Sequence, residues 1–354
     1  MLRGITSAVL FSAVLSVALA VSAVGPGQSS AEGLLAPPQI SGESAVVLDG
    51  SNGDILFEKN SHMRVAPASL TKIATAIVAI ENADLQQRLV IDFDSYQMVV
   101  DTESTVMGLK PGDNRSIEDL LYGLMLPSGN DAAVVIARTV GGSEAKFVEM
   151  MNDKVRDLGL QDTHFRNPHG LDAEGHYSSA YDMAALSLYG IRHSVFRSLS
   201  ATKKYEIRGN RPYELWNLNR LLYSYDGADG VKIGYTESAL ETIVASATRE
   251  GQKLIVAVMR SNSRYADARL LLDYYFDALK EGRATRIPPP TRTPIPTVAP
   301  LAAEPTPYSS ARSVSEQEPG SVSKAENPGF ITAITDAISH FWESVRGLLS
   351  FLGL

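Results

Sequence analysis

The chain has 354 residues, 44% hydrophobic and 20% charged, a composition that supports a full apolar core. A formal net charge of −8 and a pI near 5.4 argue against nucleic acid as a partner. With no cysteine, the chain has no disulfide, no thiolate zinc site and no cysteine nucleophile.

Arg3 precedes an almost unbroken apolar run from Ile5 to Val24, followed by small residues and Gly25-Pro26-Gly27. Residues 1–24 therefore read as a secretory signal peptide, and the expected location is extracytoplasmic. An uncleaved anchor is the competing reading, because the run is nearly long enough to span a bilayer. Residues 25–40 are a Gly/Ser/Ala-rich lead-in.

Ser44–Asp49 reads as a strand, Gly50-Ser51-Asn52-Gly53 as a turn and Asp54–Lys59 as the returning strand. Next comes Pro67-Ala68-Ser69-Leu70-Thr71-Lys72, running into a stretch of helix formers up to Ala83. A helix starting at or just before Ser69 puts that hydroxyl at a helix N-terminus, with the Lys72 amine on the same face. A desolvated lysine can take the proton that a serine must lose to become a nucleophile. An N-cap serine followed by a solvated lysine explains the same S-x-x-K equally well when the motif stands alone.

Residues 114–200 read as mostly helical. Ser116 looks like a cap with acidic residues after it, before Leu120–Leu126; Pro127 and Gly129 break that helix. A second helix is expected over Ala132–Val140. A third covers Glu144–Leu158, with Phe147, Met150, Met151, Val155 and Leu158 at helical spacing, and a fourth starts at Ser179. In the break, Ser128-Gly129-Asn130 can present a hydroxyl and an amide to a cleft. Asn130 both donates and accepts, and Ser128 can relay a proton. A simple turn with Asn130 as helix cap is the bland alternative.

After residue 200 the pattern turns to strands. Lys232-Ile233-Gly234 sits on one: Lys232 suits a substrate carboxylate, and Gly234 permits close backbone approach. An exposed edge-strand lysine is the ordinary reading of an isolated K-x-G. Glu241–Thr248 and Lys253–Met259 form a hairpin, and Asp267–Leu279 a closing helix. Strands at both ends with helices between give an α+β domain over residues 41–285. Residues 286–328 are a Pro- then Ser/Glu-rich linker, and residues 329–354 an amphipathic helix with too many charges to span a bilayer. That helix either lies in a membrane interface, through Phe330–Leu354, or docks on protein.

S-x-x-K, S-G-N and K-x-G in this order resemble the low-molecular-weight penicillin-binding proteins, and within them the serine D-alanyl-D-alanine carboxypeptidases. The likeness extends through Val65–Ser69, Met125–Ala133, Asn167–Asp172 and Gly227–Lys232. It implies a DD-peptidase/β-lactamase-like α+β fold: an antiparallel sheet packed with helices plus a mainly helical subdomain. It also implies roles. Ser69 attacks the D-Ala-D-Ala carbonyl of a peptidoglycan stem peptide and Lys72 accepts its proton. Ser128 passes that proton to the departing D-alanine. Asn130 positions the acyl side, Lys232 holds the terminal carboxylate, and the Ser69 and Tyr235 N–H groups form the oxyanion hole. β-Lactams would acylate Ser69. No metal or cofactor is implied, and His169 has a turn or packing role.

Two departures stand out. Ile233 replaces the family's Thr or Ser, so it cannot hydrogen-bond the substrate carboxylate. The Pro-rich spacer stands where many relatives carry a β-rich domain. The alternatives are a β-lactamase, for which residues 155–180 lack the expected E-x-x-L-N pattern, and a low-activity penicillin-binding wall protein, which Ile233 favours.

Overall fold

A computed structural model describes residues 36–92 and 104–289. The expected signal peptide, most of the lead-in, the linker beyond residue 289 and the C-terminal amphipathic helix lie outside the described residues.

The order begins β1 (Ser44–Asp49), β2 (Ile55–Lys59), a 3₁₀ turn (Ala68–Thr71), α1 (Lys72–Asn82), β3 (Arg88–Val90) and β4 (Asn114–Ser116). Helices α2 (Ile117–Met125), α3 (Asn130–Gly141), α4 (Glu144–Asp157), α5 (Ala180–Ile191) and α6 (Ser194–Ala201) follow. The chain closes with β5 (Lys204–Ile207), β6 (Tyr213–Trp216), α7 (Leu221–Ser224), β7 (Ala228–Thr236), β8 (Leu240–Arg249), β9 (Gln252–Ser261) and α8 (Arg264–Lys280).

Five strands make one antiparallel sheet in the order β2-β1-β9-β8-β7, which joins the first strands of the domain to the last. Both faces are covered. Val46, Leu48, Ile255, Ala257 and Met259 point into a large cluster shared with α1 to α6. The alternate residues Ala45, Val47, Leu254, Val256 and Val258 pack against α8 through Leu271, Leu272 and Tyr275. Two covered faces explain why β1 and the middle of β9 are continuously apolar rather than alternating. The β8–β9 turn is a two-residue Glu250-Gly251 connection with φ values of 49° and 80°, both left-handed, as a type I′ hairpin turn demands.

Caps fix the helix starts. Ser116 and Asp119 form a reciprocal capping box on α2, and Ser179 Oγ accepts from the Asp182 N–H at the start of α5. All twelve residues of α5 are buried, so it is the helix that welds the helical layer to the sheet. At the far end, Ile287 exchanges backbone hydrogen bonds with Ile55, and Arg286 pairs with Asp49. The packed domain thus reaches just past the expected boundary at 285.

The expected strand from Asp54 starts at Ile55, and the expected helix at Ala132 starts at Asn130. The helix expected from Ser69 opens as a 3₁₀ turn, and α1 proper begins at Lys72. The tighter turn eclipses residues three apart, so Ser69 and Lys72 stand directly over one another.

Candidate active site

Three segments meet above the N-terminus of α1. The first is the 3₁₀ turn itself. Ala68 is fully buried with φ of 49°, a conformation that costs an alanine free energy and is held by what surrounds it. Lys72 Nζ lies 2.9 Å from Ser69 Oγ, 2.6 Å from Asn130 Oδ1 and 2.6 Å from the His169 carbonyl oxygen. Lys72 is completely buried. Burial, and then the charge of Lys232, hold its amine well below the ordinary lysine range, with Asp131 opposing them. In its neutral form, which this shift favours, the amine has two N–H groups and one lone pair. Asn130 Oδ1 and the His169 carbonyl can only accept, so they take the two N–H groups. That form leaves its lone pair for the one partner that can donate, the Ser69 hydroxyl, whereas the ammonium donates to Ser69 Oγ.

The second segment is the loop between α2 and α3. Ser128 has φ of 65°, and among the described residues its buried hydroxyl has no hydrogen-bond partner. The loop is pinned from outside: Thr105 Oγ1 donates to the Ser128 carbonyl, and the Asn130 N–H to the Thr105 carbonyl. Asp131 holds the whole arrangement. Its buried carboxylate accepts from the N–H groups of Met107, Gly108, Leu109 and Ala132 at 2.8–3.0 Å.

The third segment is β7, the edge strand of the sheet, whose outer side has no neighbouring strand among the described residues. Lys232 points inward, 2% exposed, and among the described residues its ammonium makes one hydrogen bond, a long one of 3.3 Å to the Ile233 carbonyl. Burial, then Arg264, pushes its ammonium down to about 7. Ile233 faces the other way, onto the apolar cluster under α8. Gly234 has no side chain because there is no room for one: a Cβ would lie 2.8 Å from the Ser69 nitrogen. The close approach allowed by Gly234 is therefore an approach of the chain to itself, bringing β7 against the nucleophile turn. Tyr235 follows, with its side chain exposed.

A fourth segment, the 161–178 loop, closes over the turn. Thr75 Oγ1 donates to the Pro168 carbonyl, and Gly170 (φ 95°) sits where a Cβ would fall 1.9 Å from the Ala68 carbonyl oxygen. The His169 ring accepts from the Leu171 N–H, a turn contact, while burial and Lys72 hold its pKa down to about 3. The ring is neutral, and it is the backbone of His169 that reaches the site.

The fold thus brings Ser69, Lys72 and Asn130 into hydrogen-bond contact, sets Gly234 against the Ser69 nitrogen and brings Lys232 near enough to act on the Lys72 amine; Ser128 and Tyr235 lie on the loop and strand that carry Asn130 and Gly234. Three contributors escape sequence reasoning. The His169 carbonyl is invisible because any residue carries one. Asp131 reads as a first-turn acid, yet organises the loop. Arg264 starts the closing helix earlier than its apolar spacing suggests; its guanidinium donates to the Gly234 and Thr242 carbonyls, pairs with Glu241 at 3.3 Å, and has a buried Nε without a partner among the described residues. Among the described residues no His/Asp/Glu group has the spacing to hold a metal ion.

The sequence profile described as D-alanyl-D-alanine carboxypeptidase matches residues 32–263. The chain belongs to the D-alanyl-D-alanine carboxypeptidase family. It is 37% identical over 240 residues to the family member DacF of Bacillus subtilis, covering 66% of this chain and 62% of that one. It is 39% identical over 250 residues to DacA of Escherichia coli K12, covering 68% and 62%. The chain therefore spans about 62% of the length of these relatives. Among solved structures, the Streptomyces K15 DD-transpeptidase is similar at TM-score 0.66 and 32% identity, over 68% of this chain and 99% of that one. A D-alanyl-D-alanine carboxypeptidase from Mycobacterium tuberculosis H37Rv is similar at TM-score 0.64 and 31% identity, over 68% and 93%. The α+β fold of the DD-peptidases expected from the motifs is the fold observed.

Proposed function

We propose that this protein is a penicillin-sensitive serine carboxypeptidase that removes the terminal D-alanine from peptidoglycan stem peptides. The observation that carries this reading is the Lys72 amine: buried, pushed by that burial toward its neutral form, and 2.9 Å from Ser69 Oγ. A serine so placed attacks a carbonyl as its proton passes to Lys72 Nζ. The new oxyanion lies against the Ser69 and Tyr235 N–H groups, at the edge where Gly234 abuts the nucleophile turn. As the C–N bond breaks, the proton moves from Lys72 through the Ser128 hydroxyl to the departing amine. Water then attacks the acyl-Ser69 ester with Lys72 again as base, and the shortened peptide leaves. Lys232 and Arg264 hold the substrate carboxylate. A buried ammonium whose one partner among the described residues is 3.3 Å away gains most from an incoming anion.

Two readings compete. In place of the carboxylate that a β-lactamase would need for deacylation, the 161–178 loop gives Lys72 a backbone carbonyl. The low-activity reading rests on Ile233 and is decided by turnover. The purified protein is incubated with a peptide ending in D-Ala-D-Ala and, separately, with benzylpenicillin. D-alanine release with slow penicillin turnover is the expected result. Rapid penicillin hydrolysis would favour the β-lactamase, and acylation with no D-alanine release the wall-binding protein.

Export and membrane tethering belong to the same proposal. The apolar run over Ile5–Val24 supports secretion, and the amphipathic pattern of Phe330–Leu354 supports peripheral contact with the outer face of the cytoplasmic membrane. Sedimentation of that peptide with phospholipid vesicles tests the tether; a peptide left in the supernatant removes it.

A further inference from the structure

Beside β7, on the side that Ile233 faces, lies a cavity of about 390 Å³ lined by Leu218, Arg220, Ile233, Glu241, Arg264 and Tyr265, among others. Its walls are the peptide between β6 and α7, the edge strand, and the start of α8. Leu218 ties this wall to the Ser128 loop, because its N–H donates to the Leu126 carbonyl. Arg264, which lines the cavity, also donates to the Gly234 carbonyl, so the cavity borders the strand that carries Lys232 on its other face.

The charges in it are unequal. Glu241 is spoken for: one carboxylate oxygen accepts from the Arg264 N–H at 2.9 Å, and the other pairs with the Arg264 guanidinium. Among the described residues, the buried Arg264 Nε has no partner. Arg220 has no ion pair and no side-chain hydrogen bond among the described residues. Its guanidinium lies 5.9 Å from the centre of the Tyr265 ring, which Arg264 flanks at 5.6 Å. Two guanidiniums and one neutralised carboxylate make a cavity that attracts an anion. The group that would otherwise contribute a hydroxyl here, residue 233, is an isoleucine.

We propose that Arg220 is a substrate-binding residue that supplies the carboxylate contact Ile233 cannot make. A planar, permanently charged fork that already stands over Tyr265 suits a carboxylate shared with Arg264. This inference rests on the carboxypeptidase reading of the site, and deepens it: the terminal carboxylate is held by Lys232, Arg264 and Arg220.

The test uses the full chain and two N-acyl-D-alanine thioesters. Their thiol leaving groups differ only in ending in a carboxylate or in its methyl ester. Acylation of Ser69 is followed by thiol release. In wild type the carboxylate form reacts faster. Arg220→Ala lowers kcat/KM for that form about ten-fold or more, mostly through KM, and leaves the methyl ester unchanged. Arg220→Lys recovers part of the loss. In an Ile233→Thr background the same Arg220→Ala change costs less than about three-fold, because the restored hydroxyl takes over the contact. If Arg220→Ala slows both thioesters equally, its role is structural and the inference fails. If it slows neither while wild type acylates normally, the inference fails alone. If wild type reacts with neither thioester, the reading beneath it fails.

Discussion

At the scale of single residues, everything turns on how two buried lysines divide their labour. The proposed mechanism needs Lys72 as a neutral amine and Lys232 as an ammonium, and burial pushes both toward neutrality. Lys72→Ala is expected to lower the rate of Ser69 acylation by ~10²–10⁴, the usual contribution of a positioned base. Lys72→Arg is expected to restore nothing, since a guanidinium keeps its proton. Lys232 predicts a pH profile. Below about 7 it is charged and can hold a carboxylate; above, the free enzyme loses the charge, so kcat/KM falls on the alkaline side. Bound carboxylate stabilises the ammonium, so the same limb in kcat lies at higher pH. In Lys232→Arg the alkaline limb of kcat/KM should vanish; a limb unmoved by the substitution assigns it to another group. The pairing of Ser69 with Lys72 is legible in the sequence because a helical turn is a local rule. Their third and fourth partners are not, because Asn130 and the His169 carbonyl arrive through tertiary contact.

At the scale of elements, the site is the meeting of a turn, a loop and a strand edge, each held by a feature outside the chemistry. Asp131 shows this for the Ser128 loop. Asp131→Asn places an NH₂ group among four N–H donors, and is expected to cost at least ~2 kcal/mol, read as a drop in Tm, with acylation slowed as well. An unchanged Tm would show that the segment 105–109 is not held by this carboxylate. Gly170→Ala drives a Cβ into the Ala68 carbonyl and should cost ~1–3 kcal/mol and displace the nucleophile turn. Elements with strong local signals are legible: β1, the β8–β9 hairpin, and α2 with its cap. The β3–β4 ribbon is not. Its strands are three residues each and pair across a long sequence separation, so no local pattern marks them. The 3₁₀ opening of α1 is hidden for a related reason. It depends on the packing of Ala68 beneath Gly170 and Gly234, not on helix propensity.

At the scale of the whole molecule, the buried ionisable groups set how stability depends on pH. Lys232 titrates near 7 when folded and near ~10.4 when unfolded, so between these values the unfolded chain binds more protons and stability rises with pH. Lys72, also depressed, acts in the same direction. Above about 10 the sign reverses. Tyr189, Tyr205 and Tyr225 are raised, by burial first and then by Glu81, Asp119 and Asp273, so the unfolded chain loses their protons earlier. Tm should therefore climb from pH 7 to 9 and turn over beyond, with the climb reduced in Lys232→Met; a flat Tm across this range in wild type contradicts the burial of these amines. The α+β class is legible from strands at both ends of the domain. The sheet order that sets β1 beside β9 and leaves β7 at the edge is not, since it is a property of the assembled core.

The central claim is that one hydroxyl, Ser69, is made nucleophilic by the amine of Lys72. Its most direct measurement is peptide mapping of the protein after brief exposure to benzylpenicillin. The expected result is a single penicilloyl ester on the peptide containing Ser69, abolished by Ser69→Ala and nearly so by Lys72→Ala, with both variants folded. No adduct on wild type, an adduct elsewhere, or undiminished acylation in Lys72→Ala would contradict it.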